Sequence, residues 1–142
     1  MDRLAYISTA APGLSDDDIR RIVEQSRRYN PQQRITGHLQ CCGGHFFQVL
    51  EGPAAALDDL LGRLRRDPRH EDLRLLFRED VNGREFANWS MGFGPCSKTA
   101  LSADMNRRFQ ALRIAGEACP QRVLSLFYAL MARSVDVPDG PH

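Results

Sequence analysis

Apolar and polar positions alternate in two different rhythms along this chain, and the changes of rhythm divide it into short elements. "LAYIS" (4–8) is a brief apolar run that predicts a first strand, and "APG" marks the loop after it. Ser15 is placed to cap a helix, with Asp16, Asp17 and Asp18 loading its first turn and Leu14 and Ile19 spaced as a staple across the cap. Ile19, Ile22, Val23 and Ser26 then share one helical face. Pro31 predicts a stop near Tyr29-Asn30, because proline disfavours helical geometry in the residue before it. "RITGHLQCC" (34–42) and "HFFQVLE" (45–51) read as two strands joined by a Gly43-Gly44 hairpin turn. Gly52-Pro53 opens a second helix, whose Leu57, Leu60, Leu61 and Leu64 follow the i, i+3, i+4, i+7 spacing.

Beyond the second helix, "RRDPRHED" (65–72) reads as a charged loop, "LRLLFRED" (73–80) as a fourth strand and "FANWSMGFG" (86–94) as a last strand. Two helices complete the chain. One is capped by Ser102 and buries Met105, Phe109 and Leu112. The other starts at Pro120 and buries Val123, Leu124, Phe127, Leu130 and Met131, leaving 136–142 as a loose tail.

The order β-α-β-β-α-β plus one strand predicts an α+β, ferredoxin-like βαββαββ mixed sheet. Its first and third strands are expected as parallel neighbours at the centre. Both are apolar on each face, so both faces need cover: the first two helices on one side and the C-terminal pair on the other. The expected organisation is a sheet domain over 1–95, a helical cap over 96–135 and the tail over 136–142.

Gln48 breaks this apolar logic. It shares a face of its strand with Phe46 and Leu50, while Tyr6 shares a face of the first strand with Leu4 and Ser8. Adjacent strands lie about 4.8 Å apart, so a phenol and an amide facing the same helices can bond directly. Taken singly, each polar residue has a plain structural reading. Gln48 would be a satisfied buried amide, Asn30 a helix end before proline, Arg69 and His70 solvated loop residues, and Trp89 and Met91 core.

Composition narrows the classes. The 142 residues suit one domain; 42% are apolar and 26% charged, with a net charge of +1. That balance gives no field of one sign, so neither nucleic acid nor a membrane surface is expected as a partner. The arginines of the first helix are offset by Asp16, Asp17, Asp18 and Glu24. Lys98 is the only lysine. The N-terminus is too polar for a signal peptide, and the four cysteines (Cys41, Cys42, Cys96, Cys119) form no C-x-x-C, which points to a cytoplasmic protein with reduced thiols and no structural metal.

The ordered set "LAYIS", "SRRYN" (26–30), "ITG" (35–37), "FFQVLEGP" (46–53), "DPRH" (67–70) and "WSMGF" (89–93) resembles the BLUF family of flavin-based blue-light sensors over about residues 1–95. The length resembles the short, stand-alone BlrB-like members, which lack a fused output domain. The resemblance implies FAD held between the first two helices, a photoactive Tyr6–Gln48 pair, and Asn30 anchoring the polar edge of the flavin ring. It further implies contacts from Ser8, Ser26, Tyr29, Arg63, Asp67, Arg69, His70 and Met91, with Trp89 and Met91 relaying the signal to a downstream protein partner. It leaves self-association open. Tyr29 replaces the commoner histidine or asparagine, and Arg34 stands where glycine is frequent.

On this reading the protein is a photoreceptor and no enzyme. Proton-coupled electron transfer from Tyr6 to the flavin is followed by rotation or tautomerisation of Gln48. The alternative is a non-photochemical ferredoxin-like module binding flavin or a metabolite. A flavin-dependent redox enzyme lacks a G-x-G-x-x-G for a nicotinamide partner, and an acylphosphatase-like hydrolase lacks a phosphate-cradling loop after the first strand.

Overall fold

The computed structural model describes residues 1–87, 91–95, 103–116 and 119–133. Its elements run β1 (Asp2–Ala10), α1 (Asp16–Gln32), β2 (Thr36–Cys42), β3 (His45–Gly52), α2 (Ala54–Arg66), β4 (His70–Asp80), β5 (Gly92–Pro95), α3 (Ala103–Ala115) and α4 (Pro120–Arg133). The sheet order is β4-β1-β3-β2-β5. The ferredoxin-like α+β arrangement is therefore present, with a fifth strand added beside β2.

One topological expectation is corrected. β1 and β3 are central neighbours, but they run antiparallel, with Tyr6 opposite Gln48 and Leu4 opposite Leu50. The hairpin at Gly43-Gly44 explains the direction. The crossover through α1 brings β2 back parallel to β1, and the tight turn then sends β3 down between them. Both turn glycines have positive φ, 53° and 82°, which that turn requires. Among the described strands, the parallel pairing is that of β5 along β2.

Several boundaries also move. α1 is capped as expected: the Ser15 hydroxyl accepts from the Asp18 N–H, and the Asp18 carboxylate accepts from the Ser15 N–H. It does not stop at Asn30; Pro31 lies inside its last turn. There the missing donor costs little, and the Asn30 carbonyl accepts instead from Gln33 and Ile35 N–H. Arg65 and Arg66 belong to α2, and β4 starts at His70, so the charged loop shrinks to 67–69. The last strand is limited to 92–95, and Phe86 sits in a bend. Residues 88–90, the Ser102 cap and the expected tail lie outside the described residues.

Each sheet face has its own core. α1 and α2 cover Leu4, Tyr6, Leu39, Phe46 and Leu50, together with Met91. α3 and α4 cover Ala5, Ile7, Phe47, Val49 and Leu76. Phe47 meets Phe127 of α4 edge-on, with ring centroids 5.0 Å apart, a geometry contributing about 1 kcal/mol beyond area burial. Gly37 permits the close β2–β3 pairing. A Cβ there would lie 2.4 Å from the Val49 carbonyl oxygen.

At the far end of the sheet, the fully buried Glu51 carboxylate ties the segment after β4 to β3. It accepts from Arg3 Nε (2.9 Å), Glu85 N (2.7 Å) and Phe86 N (2.8 Å). On the α4 side, buried His38 meets Phe127 edge-on, and desolvation lowers its pKa from 6.5 to about 4.

Two outcomes are expected. Glu51→Ala removes the acceptor for a buried guanidinium and two N–H groups, and urea denaturation should register a loss of about 3–5 kcal/mol. For His38, the unfolded chain takes up a proton below pH 6.5 that the folded chain refuses. Stability therefore falls as pH drops through the window from 6.5 to about 4, by on the order of 3 kcal/mol. Denaturation midpoints across that window should flatten in His38→Gln.

Candidate flavin site

α1 and α2 lie over the Tyr6 face of the sheet and leave between them a cavity of about 480 Å³. Its walls are two helical stripes with i, i+3, i+4, i+7 spacing. Ile22, Gln25, Ser26 and Tyr29 come from α1; Leu60, Arg63, Leu64 and then Asp67 come from α2 and its end. Asn30, Arg66 and Arg69 complete the lining. The volume is ordinary for a small-molecule site, and the mixture of aliphatic walls with a few fixed polar groups is what such a site requires.

The polar walls are held in place. Asp67 accepts from the Arg69 N–H (2.9 Å), Nε (3.0 Å) and Nη2 (2.7 Å), while Arg69 Nη1 reaches Gln25 Oε1 on α1 at 2.8 Å. Burial works to raise the pKa of Asp67, but the hydrogen bonds and charge of Arg69 outweigh it and hold the carboxyl below its ordinary value. The Arg63 guanidinium lies 4.2 Å above the Tyr29 ring, a cation–π contact bridging the two helices. Ser26 donates its hydroxyl to the Ile22 carbonyl at 2.9 Å. Asn30 is 1% exposed, a buried amide in the cavity wall.

Tyr6, Ser8, Gln48, His70 and Met91 do not line that cavity. They form a buried polar layer on the sheet. The Tyr6 hydroxyl donates to Gln48 Oε1, and Gln48 Nε2 donates to the Met91 sulfur at 3.0 Å. Tyr6 is 3% exposed and Gln48 5%. Burial above all, with the Asp67 carboxylate adding to it, pushes the Tyr6 phenol well above its usual pKa. His70 Nδ1 meets the Ser8 hydroxyl at 2.7 Å, and its ring lies against Tyr6 and Phe46. Burial lowers the His70 pKa against the opposing pull of Asp67, so the ring is neutral at pH 7. A neutral imidazole bonded through Nδ1 keeps Nε2 for another partner, and that buried nitrogen has none among the described residues.

Two register shifts in the β1–β4 pairing, at Ala5/Tyr6 and Ile7/Thr9, flank this layer and bring Ser8 and His70 together. Trp89 lies outside the described residues. The sequence reading missed Gln25, Arg66 and Arg27. The stripe spacing would have found Gln25, but no local pattern announces that Arg27 Nε donates to the Met91 carbonyl at 3.0 Å. Among the described residues no helix is long and apolar enough to cross a membrane, and no group of His, Cys, Asp and Glu could hold a metal ion.

Comparison with known proteins identifies the family. The family model for BLUF, sensors of blue-light using FAD, matches residues 1–92. A photoactivated adenylate cyclase subunit beta-like protein from Euglena gracilis is 34% identical over 111 residues, covering 78% of this chain and 12% of the relative. The photoactivated adenylate cyclase subunit beta of the same organism is 38% identical over 89 residues, or 62% of this chain and 10% of the relative. This chain thus spans about a tenth of the length of those curated relatives. Among solved structures, a bacterial light-regulated adenylyl cyclase superposes with a TM-score of 0.74 at 32% identity, over 88% of this chain and 38% of that one. BlrB, a BLUF protein in its dark state, superposes with a TM-score of 0.71 at 27% identity, over 92% and 94%. The chain belongs to the BLUF family of flavin-based blue-light sensors.

The residues present fit a flavin. The helices offer aliphatic walls and an aromatic ring for a flat ring system, and the Asn30 amide carries both donor and acceptor for its alternating polar edge. His70 Nε2 is a buried nitrogen without a hydrogen-bond partner among the described residues.

Proposed function

We propose that this protein is a blue-light photoreceptor that binds FAD between α1 and α2 and signals through a rearrangement of Gln48 to a downstream protein, without enzymatic activity of its own. The observation that carries the reading is the buried chain Tyr6 O–H to Gln48 Oε1 and Gln48 Nε2 to Met91 Sδ. When bound, oxidised flavin supplies absorption of blue light and an electron acceptor. Asn30, Ser26, Tyr29, Leu60 and Leu64 are the residues placed to hold its ring, and Arg63, Arg66 and Arg69 offer guanidinium groups toward a phosphate-bearing tail.

Tyr6 is the donor. Burial holds its phenol protonated, so the loss of an electron makes the hydroxyl a strong acid whose proton can leave along its hydrogen bond to Gln48. Gln48 is the memory. Its amide has an acceptor end facing the phenol and a donor end facing a thioether. Rotation or tautomerisation changes which end is which. A thioether can only accept, and weakly, so an oxygen turned toward Met91 breaks that contact. Met91 therefore registers the state of Gln48, and β5 begins at the next residue. Trp89, three residues before β5, joins Met91 in this relay on the strength of the family resemblance.

The purified, flavin-loaded protein should show a red-shifted absorption band after blue illumination that decays in the dark. Tyr6→Phe should keep the flavin and lose the shift; a normal shift in that variant would overturn the scheme. Asn30→Ala removes a buried amide from the cavity wall. Flavin titration of the apoprotein should then show affinity reduced by about tenfold to a hundredfold, matching the loss of ~1–3 kcal/mol for an unmade buried hydrogen bond.

A further inference from the structure

Met91 is gripped at two points. Its sulfur accepts from Gln48 Nε2 at 3.0 Å, and its main-chain carbonyl accepts from Arg27 Nε of α1, also at 3.0 Å. The residue is 1% exposed, and Arg27 is half-buried against it. Directly after Met91 the chain enters β5, a strand of four residues that pairs, among the described residues, in a parallel ladder at the edge of the sheet, from His38↔Gly92 to Cys41↔Pro95. So short a parallel edge pairing is weak by itself. The two bonds to Met91 restrain the residue from which that strand starts.

The two grips are unequal. A guanidinium donating to a carbonyl makes a charge-assisted bond, whereas sulfur is a poor acceptor for a neutral amide. When Gln48 reorients, the sulfur contact yields first, and the Arg27 bond decides whether the main chain follows. Arg27 is also the immediate neighbour of Ser26 and lies within one turn of Tyr29 and Asn30, which line the cavity. The helix that would hold the flavin therefore also holds the start of β5.

We propose that Arg27 is a positioning residue of the light response. It pins the Met91 carbonyl, confines the first movement to the Met91 side chain, and sets the threshold at which β5 leaves β2. This rests on the photoreceptor reading given above.

The test compares wild type, Arg27→Gln and Arg27→Lys, each as the full chain loaded with FAD. Amide hydrogen exchange is read at residues 92–94 in the dark, alongside the absorption spectrum before and after illumination. Arg27→Gln should raise dark exchange at 92–94 by at least tenfold while the light-induced red shift keeps its amplitude. Arg27→Lys, which still donates to a carbonyl, should fall between the two. Wild-type exchange at 92–94 in Arg27→Gln would overturn the assignment, as would an equal rise at β1 and β3 amides, which marks general destabilisation. Absence of any red shift in wild type would sink the photoreceptor reading instead, and the dark exchange comparison would still decide whether Arg27 holds β5.

Discussion

The hydrogen bond between the Tyr6 hydroxyl and Gln48 is the interaction on which the site depends, and the sheet register makes it unavoidable. The two residues are direct cross-strand partners on central strands, so neither can turn away without leaving a polar group unpaired under two helices. Helices α1 and α2 pack on that face and α3 and α4 on the opposite one. The low dielectric that results keeps the phenol protonated and makes each amide contact costly to lose. A pair of this kind at the surface would exchange freely with water and hold no state.

The polar layer and the cavity are distinct, and their separation suits a sensor. The cavity walls come from helices and a short loop, braced by the Asp67–Arg69–Gln25 chain and by Arg63 over Tyr29. Tyr6 and Gln48 come from strands. The cavity is thus enclosed by helices, while the Gln48 amide sits on a central strand of the sheet. Met91 joins the layers, since its side chain belongs to the sheet-face network and its carbonyl to α1.

Much of this was legible in the sequence because it rests on period. Two apolar faces on the first and third strands required two helical covers, and alternation put Tyr6 and Gln48 on the α1–α2 side. Direction was not legible in the same way: the expected parallel β1–β3 pair is antiparallel, because the hairpin and the α1 crossover fix direction and the apolar pattern does not. Helix α1 ran past Asn30 because its closing turn needs few of the bonds proline denies. The strand at His70 was hidden by charge. Arg69 and Asp67 look like solvated loop in one dimension, yet they form a brace in three. Arg27 and Glu51 act through partners 64 and 34–35 residues away, a separation at which local pattern carries no signal.

Glu85 occupies a junction. Its amide is bound by the Glu51 carboxylate inside the protein, and its own carboxylate accepts from the Tyr128 hydroxyl on α4 at 3.0 Å, a phenol whose pKa burial and Glu85 together push up to about 12. Phe86, the next residue, stacks on the Tyr128 ring. A torsional adjustment in this short stretch would be felt outside as a change in one aromatic side chain's attachment. Beside the core packing of Phe127, the outer helix is therefore tied to the buried Glu51 carboxylate through Glu85, and a disturbance leaving the sheet by that route would reach the surface as a local change at Tyr128.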